Sequence, residues 1–409
     1  MNSNKLLKLY SQKQIEVLKL FHKNFWILIQ HGAKRAGKTI GNNDFFLMEL
    51  KRIKKIANSQ NVPEPQYILS GHTLGTLKRN VLNEITNRFG LRFKLNQHNE
   101  FMLFGVRVCC FGHGTERDME RMRGMTAYGA YVNEATTAVE RAFREILNRC
   151  SGDGARVIVD TNPDNANLFI KKDFIDKSDG VKVLEKHYQI DDNPFLTNEY
   201  KNNIKLTTPT GTFYDRDILG LWVNAEGMVY RDFNKNIHVI DEVPQHIEIS
   251  RYIIGVDWGF EHYGSMLVIG CATNGNYYIV EEHTKRGMYV ENFWLPLGKS
   301  LKEKYTVGKI KPIFFVDSAR SEYKSVFLDT NLETFNANKS VIEGIQTVGS
   351  LFKQNKIYIL KDAIDRFELE INSYVWNNKI GSDEKVIKEN DDCMDALRYA
   401  IHTYKMITR

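Results

Sequence analysis

Phe25-Trp26-Ile27-Leu28-Ile29-Gln30-His31-Gly32-Ala33-Lys34-Arg35-Ala36-Gly37-Lys38-Thr39 is the stretch on which the reading of this chain turns. Phe25 to Gln30 has the continuous apolar character of a buried strand, and Ile40 to Leu50 continues as a helix. Between them, Gly32 to Thr39 fits the spacing G-x-x-x-x-G-K-[ST]. A strand that passes through such a loop into a helix start presents backbone N–H groups at the positive end of the helix, a cradle for phosphate oxygens. The expected ligand is ATP. Gly32, Ala33, Lys34, Arg35, Ala36 and Gly37 would surround its phosphates, Lys38 would reach the β- and γ-phosphates, and the Thr39 hydroxyl would hold Mg²⁺.

Outward from this loop, Tyr67 to Leu69, Val106 to Phe111, Ala130 to Val132 and Arg156 to Val159 read as further strands alternating with helical patterns. That alternation predicts an α/β unit with a parallel-rich central sheet and helices on both faces. Tyr131-Val132-Asn133-Glu134-Ala135 is a short apolar strand ending in an acid, which makes Glu134 the expected base for the attacking water. Asn133 stands where an Asp would help to hold the Mg²⁺ shell; its amide accepts a hydrogen bond from a metal-bound water but carries no charge. The strand Arg156 to Asp160 runs into Thr161-Asn162-Pro163, and polar residues at that end of a parallel strand face the ligand crevice. Thr161 and Asn162 are therefore expected to sense the γ-phosphate. Lys34, Arg35, Arg121 and Arg123 are candidates for neutralising transition-state charge.

The second half carries a different constellation. Tyr252 to Val256, Met266 to Cys271, Asn276 to Glu281 and Pro312 to Val316 read as strands, and Asn390 to Tyr404 as a helix. Asp257 and Asp317 end two of the most apolar strands, where an acid has little structural excuse. Asp392 and Asp395, three apart, share a face of the helix, with Asp391 beside them. Hard divalent cations prefer such oxygens. A pair of Mg²⁺ or Mn²⁺ ions held by Asp257, Asp317, Asp392 and Asp395 suits phosphodiester cleavage.

At 409 residues the chain is long enough for two domains. The sequence predicts a first domain over 1–215, a linker over 216–245 and a second domain over 246–409, the break being marked by Thr207-Thr208-Pro209-Thr210-Gly211. With 42% hydrophobic and 26% charged residues, the composition is that of an ordinary globular protein and excludes disorder as the main state. A net charge of +6 permits a polyanionic partner without requiring one. Cys109, Cys110, Cys150, Cys271 and Cys393 form no C-x-x-C pair, so neither zinc nor disulfides are expected. With no signal peptide and no run long enough to span a bilayer, a reduced cytoplasmic setting with no membrane partner is the expectation.

Taken in order, these pieces resemble the large terminase subunit of tailed bacteriophages, in the group related to the PBSX prophage. The resemblance runs from about residue 10 to 405. It rests on Gln14, the loop at 32–39, Arg123-Gly124, Asn133-Glu134-Ala135, Thr161-Asn162-Pro163, Gly220-Leu221-Trp222-Val223, Glu226-Gly227-Met228-Val229-Tyr230 with Phe233, Asp257-Trp258-Gly259, Asp317-Ser318 and Asp395-Ala396-Leu397-Arg398-Tyr399-Ala400. It implies a P-loop ATPase that drives double-stranded DNA into an empty capsid, followed by a ribonuclease H-like nuclease that cuts concatemeric DNA. It also implies that Gln14 contacts adenine, that Thr161 and Asn162 couple hydrolysis to movement, and that Asp257, Asp317 and Asp395 carry the nuclease metals. The implied partners are the portal protein, a small terminase subunit and further copies of the chain in a ring on the procapsid, with a monomer in solution. The implied location is the host bacterial cytoplasm, transiently at the portal vertex. The chain departs from the family pattern at Asn133, at Lys34, and at Asp392, where related chains often have His. Two other readings fit the motifs: a P-loop helicase or translocase without nuclease activity, and a metal nuclease with a regulatory nucleotide site.

Overall fold

The computed structural model describes residues 7–377 and 385–408. The chain divides into two compact units, one of Met1–Lys201 with Tyr214–Asn224 and one of Asn202–Phe213 with Ala225–Arg409.

The first unit is built on seven strands: β1 (Ile27–Gly32), β2 (Gln66–Gly71), β3 (Glu100–Leu103), β4 (Val106–Gly112), β5 (Ala127–Asn133), β6 (Arg156–Thr161) and β7 (Val183–Tyr188), in the order β3-β4-β2-β5-β6-β1-β7. All neighbours are parallel except the β3–β4 pair. Every residue of β1, β5 and β6 is buried, as a parallel sheet covered on both faces requires. Ile27, Ile29, Val132, Val157 and Val159 pack with Phe143 and Ile146 of the helix Glu140–Arg149. The helix after the glycine-rich loop, Lys38–Ser59, is twice as long as expected. It is tied to the sheet by Glu49, which is fully buried and holds Arg156 through its carboxylate. The sequence did not announce β3 and β7: both are sheet-edge strands in which polar side chains interrupt the apolar pattern.

The second unit is a mixed sheet of β8 (Val239–Ile240), β9 (Ile249–Asp257), β10 (Tyr263–Ala272), β11 (Tyr277–Arg286), β12 (Ile313–Val316), β13 (Thr334–Asn336) and β14 (Ile357–Leu360), in the order β13-β12-β9-β10-β11-β14-β8. β9, β10 and β11 form an antiparallel meander, and the outer pairs are parallel. Successive residues point to opposite faces. Ile253, Leu267, Ile269 and Phe315 pack with the helices Val341–Lys353 and Asp392–Ile407. Ile254, Val268, Phe314 and Val316 pack with Trp294, Leu301 and Phe327.

The connector expected over 216–245 is shared between the units. In the first, Arg216 Nε donates to Val223 O (3.1 Å) and Trp222 Nε1 to His31 Nδ1 (3.2 Å). In the second, Tyr230 is buried against Phe352 and Tyr374. Among the described residues no helix is long and apolar enough to cross a membrane, and all five cysteines are free.

Candidate nucleotide and metal sites

In the first unit, the ends of β1, β5 and β6 open onto a cavity of about 660 Å³. Lys34, Arg35, Ala36, Gly37, Lys38 and Thr39 line one side, and Glu134, Asp160, Thr161 and Asn162 the other. Gly37 caps the helix Lys38–Ser59, so the loop backbone stands at that helix's N-terminal end. Lys38 is buried and folded back: its Nζ donates to the carbonyls of Gly32 (2.8 Å) and Ala33 (2.6 Å) and to Asn162 Oδ1 (3.0 Å). Burial lowers its pKa to about 8, against the opposing pull of Asp160 and then Glu134. Gly32 and Ala33 are fully enclosed. The segment after β7 backs onto them: Gly220 has φ +73°, and a Cβ there would collide with Tyr188 O and Ala33 N. This accounts for the Gly-Leu-Trp piece, which sequence chemistry alone leaves unexplained.

Glu134 sits one residue beyond β5 with a left-handed backbone, φ +58°. Burial, and then the nearby Asp160, raise its carboxyl pKa. Thr161 and Asn162 are tied to the turn after Glu134: Thr136 N donates to Thr161 Oγ1 (2.8 Å) and Thr136 Oγ1 to Asn162 O (2.6 Å). The Thr136 side chain thus links the Glu134 turn to Asn162, which touches Lys38.

Several expected residues are placed differently. Gln14 does not line the cavity; its Nε2 donates to Gly37 O (2.8 Å), while its Oε1 accepts from Ser11 N (2.8 Å) in a capping box. Lys34 is exposed and paired with Asp217 at 2.9 Å. Arg35 borders the cavity, with its carbonyl held by Asn193 Nδ2 (2.7 Å). Arg121 lines a separate cavity of about 500 Å³ with Gln97 and His98. Arg123 is exposed and lines neither cavity. Arg79, which no motif marked, does border the nucleotide cavity. Asn133 does not; Asp160, its register partner on β6, does.

In the second unit, Asp257, Asp317, Asp391, Asp392 and Asp395 line one cavity of about 650 Å³. Asp257 closes β9, and Asp317 directly follows the adjacent β12, its N–H donating to Val256 O (3.1 Å). The helix Asp392–Ile407 reaches them because Gly255 has no side chain: a Cβ there would collide with Ala396 O. Glu370, fully buried, anchors the helix start by accepting from Cys393 N (2.6 Å); burial raises its pKa to about 7.

Burial, then Asp395, Asp392, Asp317 and Asp391 in turn, raise the Asp257 pKa well above the usual carboxylate range. Basic side chains offset the other acids. Lys339 Nζ lies 2.5 Å from Asp317 Oδ1, and Lys388 Nζ 3.0 Å from Asp395 Oδ2 and 3.3 Å from Asp391 Oδ2. His262 Nδ1 lies 2.9 Å from Asp392 Oδ1. Burial would raise the Asp395 pKa, but Arg398 and Lys388 hold it below the usual value. Among the described residues no three His, Cys, Asp or Glu side chains form a group that could hold a metal ion as they stand. The acids are gathered around one space, all of them hard oxygen donors. Sequence reading did not mark Lys339, Lys388 or His262, which stand in loops without a motif of their own.

Comparison with known proteins agrees with this architecture. The family model described as "Terminase large subunit, T4likevirus-type, N-terminal" matches residues 31–237, half of the chain. That described as "Terminase RNaseH-like domain" matches residues 254–403. The large terminase of a thermophilic bacteriophage superposes with a TM-score of 0.75 at 26% identity, over 97% of this chain and 99% of that one. The same phage's protein in complex with ATP-γ-S gives a TM-score of 0.72 at 26% identity, over 96% of this chain and 99% of that one. The large terminase subunit of Escherichia phage T5 is 26% identical over 191 residues, 44% of this chain and 42% of that protein, so the match spans less than half of that relative. A P-loop unit with a parallel-rich sheet, followed by a ribonuclease H-like unit, places this chain in the terminase large subunit family.

Proposed function

We propose that the first unit hydrolyses ATP to drive double-stranded DNA into a procapsid, and that the second is a two-metal endonuclease that cuts concatemeric DNA. The observation that carries this reading is that each unit gathers its own set of reactive side chains at strand ends: Lys38, Thr39, Glu134 and Asn162 around one cavity, five aspartates around the other. The complex of the thermophilic phage terminase with ATP-γ-S supports ATP as the ligand of the first.

In the first unit, an incoming triphosphate replaces the carbonyls of Gly32 and Ala33 as partner of Lys38, and Thr39 stands at the helix start to hold Mg²⁺. Glu134, its basicity raised by burial, takes the proton of the attacking water. Asn162, which touches Lys38, and Thr161, bonded to the turn after Glu134, then feel the loss of the γ-phosphate together.

In the second unit, Asp257, Asp317, Asp392 and Asp395 would hold Mg²⁺ or Mn²⁺. Such a pair of ions, when bound, lowers the pKa of a water and receives the leaving oxygen of the phosphodiester. Lys339 and Lys388 move from the acids toward the DNA phosphates as the carboxylates take up cations. The portal protein, a small terminase subunit and further copies of the chain in a ring are the proposed partners at the procapsid, in the host cytoplasm.

The test uses the full chain, assayed for phosphate release from ATP and for Mn²⁺-dependent plasmid cleavage. Lys38→Ala and Glu134→Ala are expected to stop phosphate release, the second with ATP-γ-S binding intact. Asp317→Ala is expected to abolish cleavage with ATPase activity retained. Wild-type protein inert in either assay, or Asp317→Ala losing both activities together, would reject the reading.

A further inference from the structure

A P-loop site that hydrolyses ATP needs an acid beside the Mg²⁺ shell as well as the base that takes the proton. The strand end that precedes Glu134 offers Asn133, which has no charge. In the structure Asn133 does not face the cavity; its Nδ2 donates to Asp160 Oδ1 (2.8 Å), and its Oδ1 lies 3.5 Å from Asn80 Nδ2.

Asp160 is the register partner of Asn133 on the adjacent strand β6 and lines the cavity with Lys38, Thr39 and Glu134. It is only 1% exposed. A carboxylate so enclosed is stable only when hydrogen-bonded, and three donors converge on it. Asn133 Nδ2 and Glu134 N (3.1 Å) share Oδ1, and Tyr131 OH donates to Oδ2 (2.6 Å). Two of these donors come from the very strand end that lacks the acid, and Glu134 N belongs to the residue with the left-handed backbone. Asp160 is also the acid whose charge acts most strongly on the Lys38 ammonium.

We infer that the acid serving the Mg²⁺ shell has moved one strand sideways, so that Asp160 on β6 carries the charge that Asn133 on β5 lacks, and the same carboxylate holds Glu134 in place through its backbone N–H. Asn133 is then a hydrogen-bonding support for Asp160 and does not itself face the ion. This rests on the reading of the first unit as an Mg²⁺–ATP site.

The experiment is a calorimetric titration of ATP-γ-S into the full chain, in EDTA and across a series of Mg²⁺ concentrations. Asp160→Asn keeps acceptor atoms in place and removes the charge. It is expected to bind ATP-γ-S like wild type in EDTA while its Mg²⁺ midpoint rises by about 10- to 100-fold, the usual cost of losing a residue that supports a metal's ligand shell. The double variant Asn133→Asp/Asp160→Asn returns the charge to β5, and its midpoint is expected to recover most of that loss. An unchanged midpoint in Asp160→Asn, or a shifted midpoint that the double variant leaves unrecovered, would overturn the inference. Should Asp160→Asn not fold, Asn133→Asp alone decides. With Asp160 already supplying the charge, a second carboxylate opposite it is redundant and repelled, so Mg²⁺ affinity gains at most about threefold. A gain of about tenfold or more would mean that position 133 had been lacking the acid, and would overturn the inference. Wild-type protein that binds no ATP-γ-S at any Mg²⁺ concentration overturns the underlying reading, a result distinct from binding with an unshifted midpoint.

Discussion

Arg398 Nη2 lies 2.7 Å from Asp395 Oδ1, one turn along the same helix, and both side chains are almost wholly buried. The guanidinium also donates to Ser340 O (3.1 Å), and the aliphatic stem of Arg398 packs against Gly344, where an added Cβ would collide with its Cγ and Cδ. Removing one partner of a buried pair leaves an uncompensated charge. Arg398→Ala is therefore expected to destabilise the second unit by about 3–5 kcal/mol. Scanning calorimetry of the full chain, with and without the substitution, measures this; superimposable thermograms would show that the pair does not hold the helix.

Asp257 gives a pH dependence with a defined sign. Its pKa in the folded chain is raised well above the ordinary value, so the folded state keeps a proton that the unfolded state releases. Its contribution to stability therefore falls as pH rises from the ordinary carboxylate range upward. In EDTA at neutral pH, Asp257→Asn is expected to melt a few degrees above wild type, and near pH 4 the two should coincide. Addition of Mn²⁺ should reverse the neutral-pH order, because only the carboxylate gains from the cation. A melting difference independent of both pH and Mn²⁺ would contradict the crowding of charge around Asp257.

Lys38 gives a second linkage. Burial holds its pKa to about 8, and a triphosphate arriving beside it restores the preference for the charged form. Binding of ATP-γ-S near pH 8.5 is thus expected to take up protons, by an amount that fades toward pH 6.5, where Lys38 is already protonated. Titrations in buffers of different ionisation enthalpy count these protons. Lys38→Arg, which stays charged, should bind without that uptake. Equal uptake in the two proteins would place the titrating group elsewhere.

Gly255→Ala tests the packing that assembles the acid cluster. The added methyl would collide with Ala396 O, so either β9 or the helix Asp392–Ile407 must move. A stability loss of about 1–3 kcal/mol is the usual cost of overpacking. Because Asp395 rides on that helix, plasmid cleavage should fall more steeply than thermal stability. Full cleavage by a stable Gly255→Ala protein would mean that the close approach is dispensable.

Much of this was legible in the sequence because the relevant signals are local. The glycine-rich loop, the acid-ended strands β5, β9 and β12, and the two acids on one face of the last helix can each be read within a dozen residues, and each stands where the reading put it. Other features depend on distant partners. Asp160 sits beside Asn133 only because β5 and β6 are neighbours in the sheet. Lys339 and His262 belong to the acid cavity through contacts with Asp317 and Asp392, 22 and 130 positions away, respectively. The edge strands β7 and β13 are short or broken by polar residues, so their pairing comes from the sheet rather than from their own pattern. Thr207 to Gly211 marks a break, but nothing in the sequence marks the return of 214–224 to the first unit after 202–213 has joined the second.

The helix that carries Asp395 is laid down long after the strand that carries Asp257, with β10, β11 and β12 to β14 between them. Chains emerge from the ribosome N-terminus first and their domains fold as units. A chain that stops after β14 but before that helix would keep the cavity of the glycine-rich loop complete while the acid cavity lacked Asp392 and Asp395.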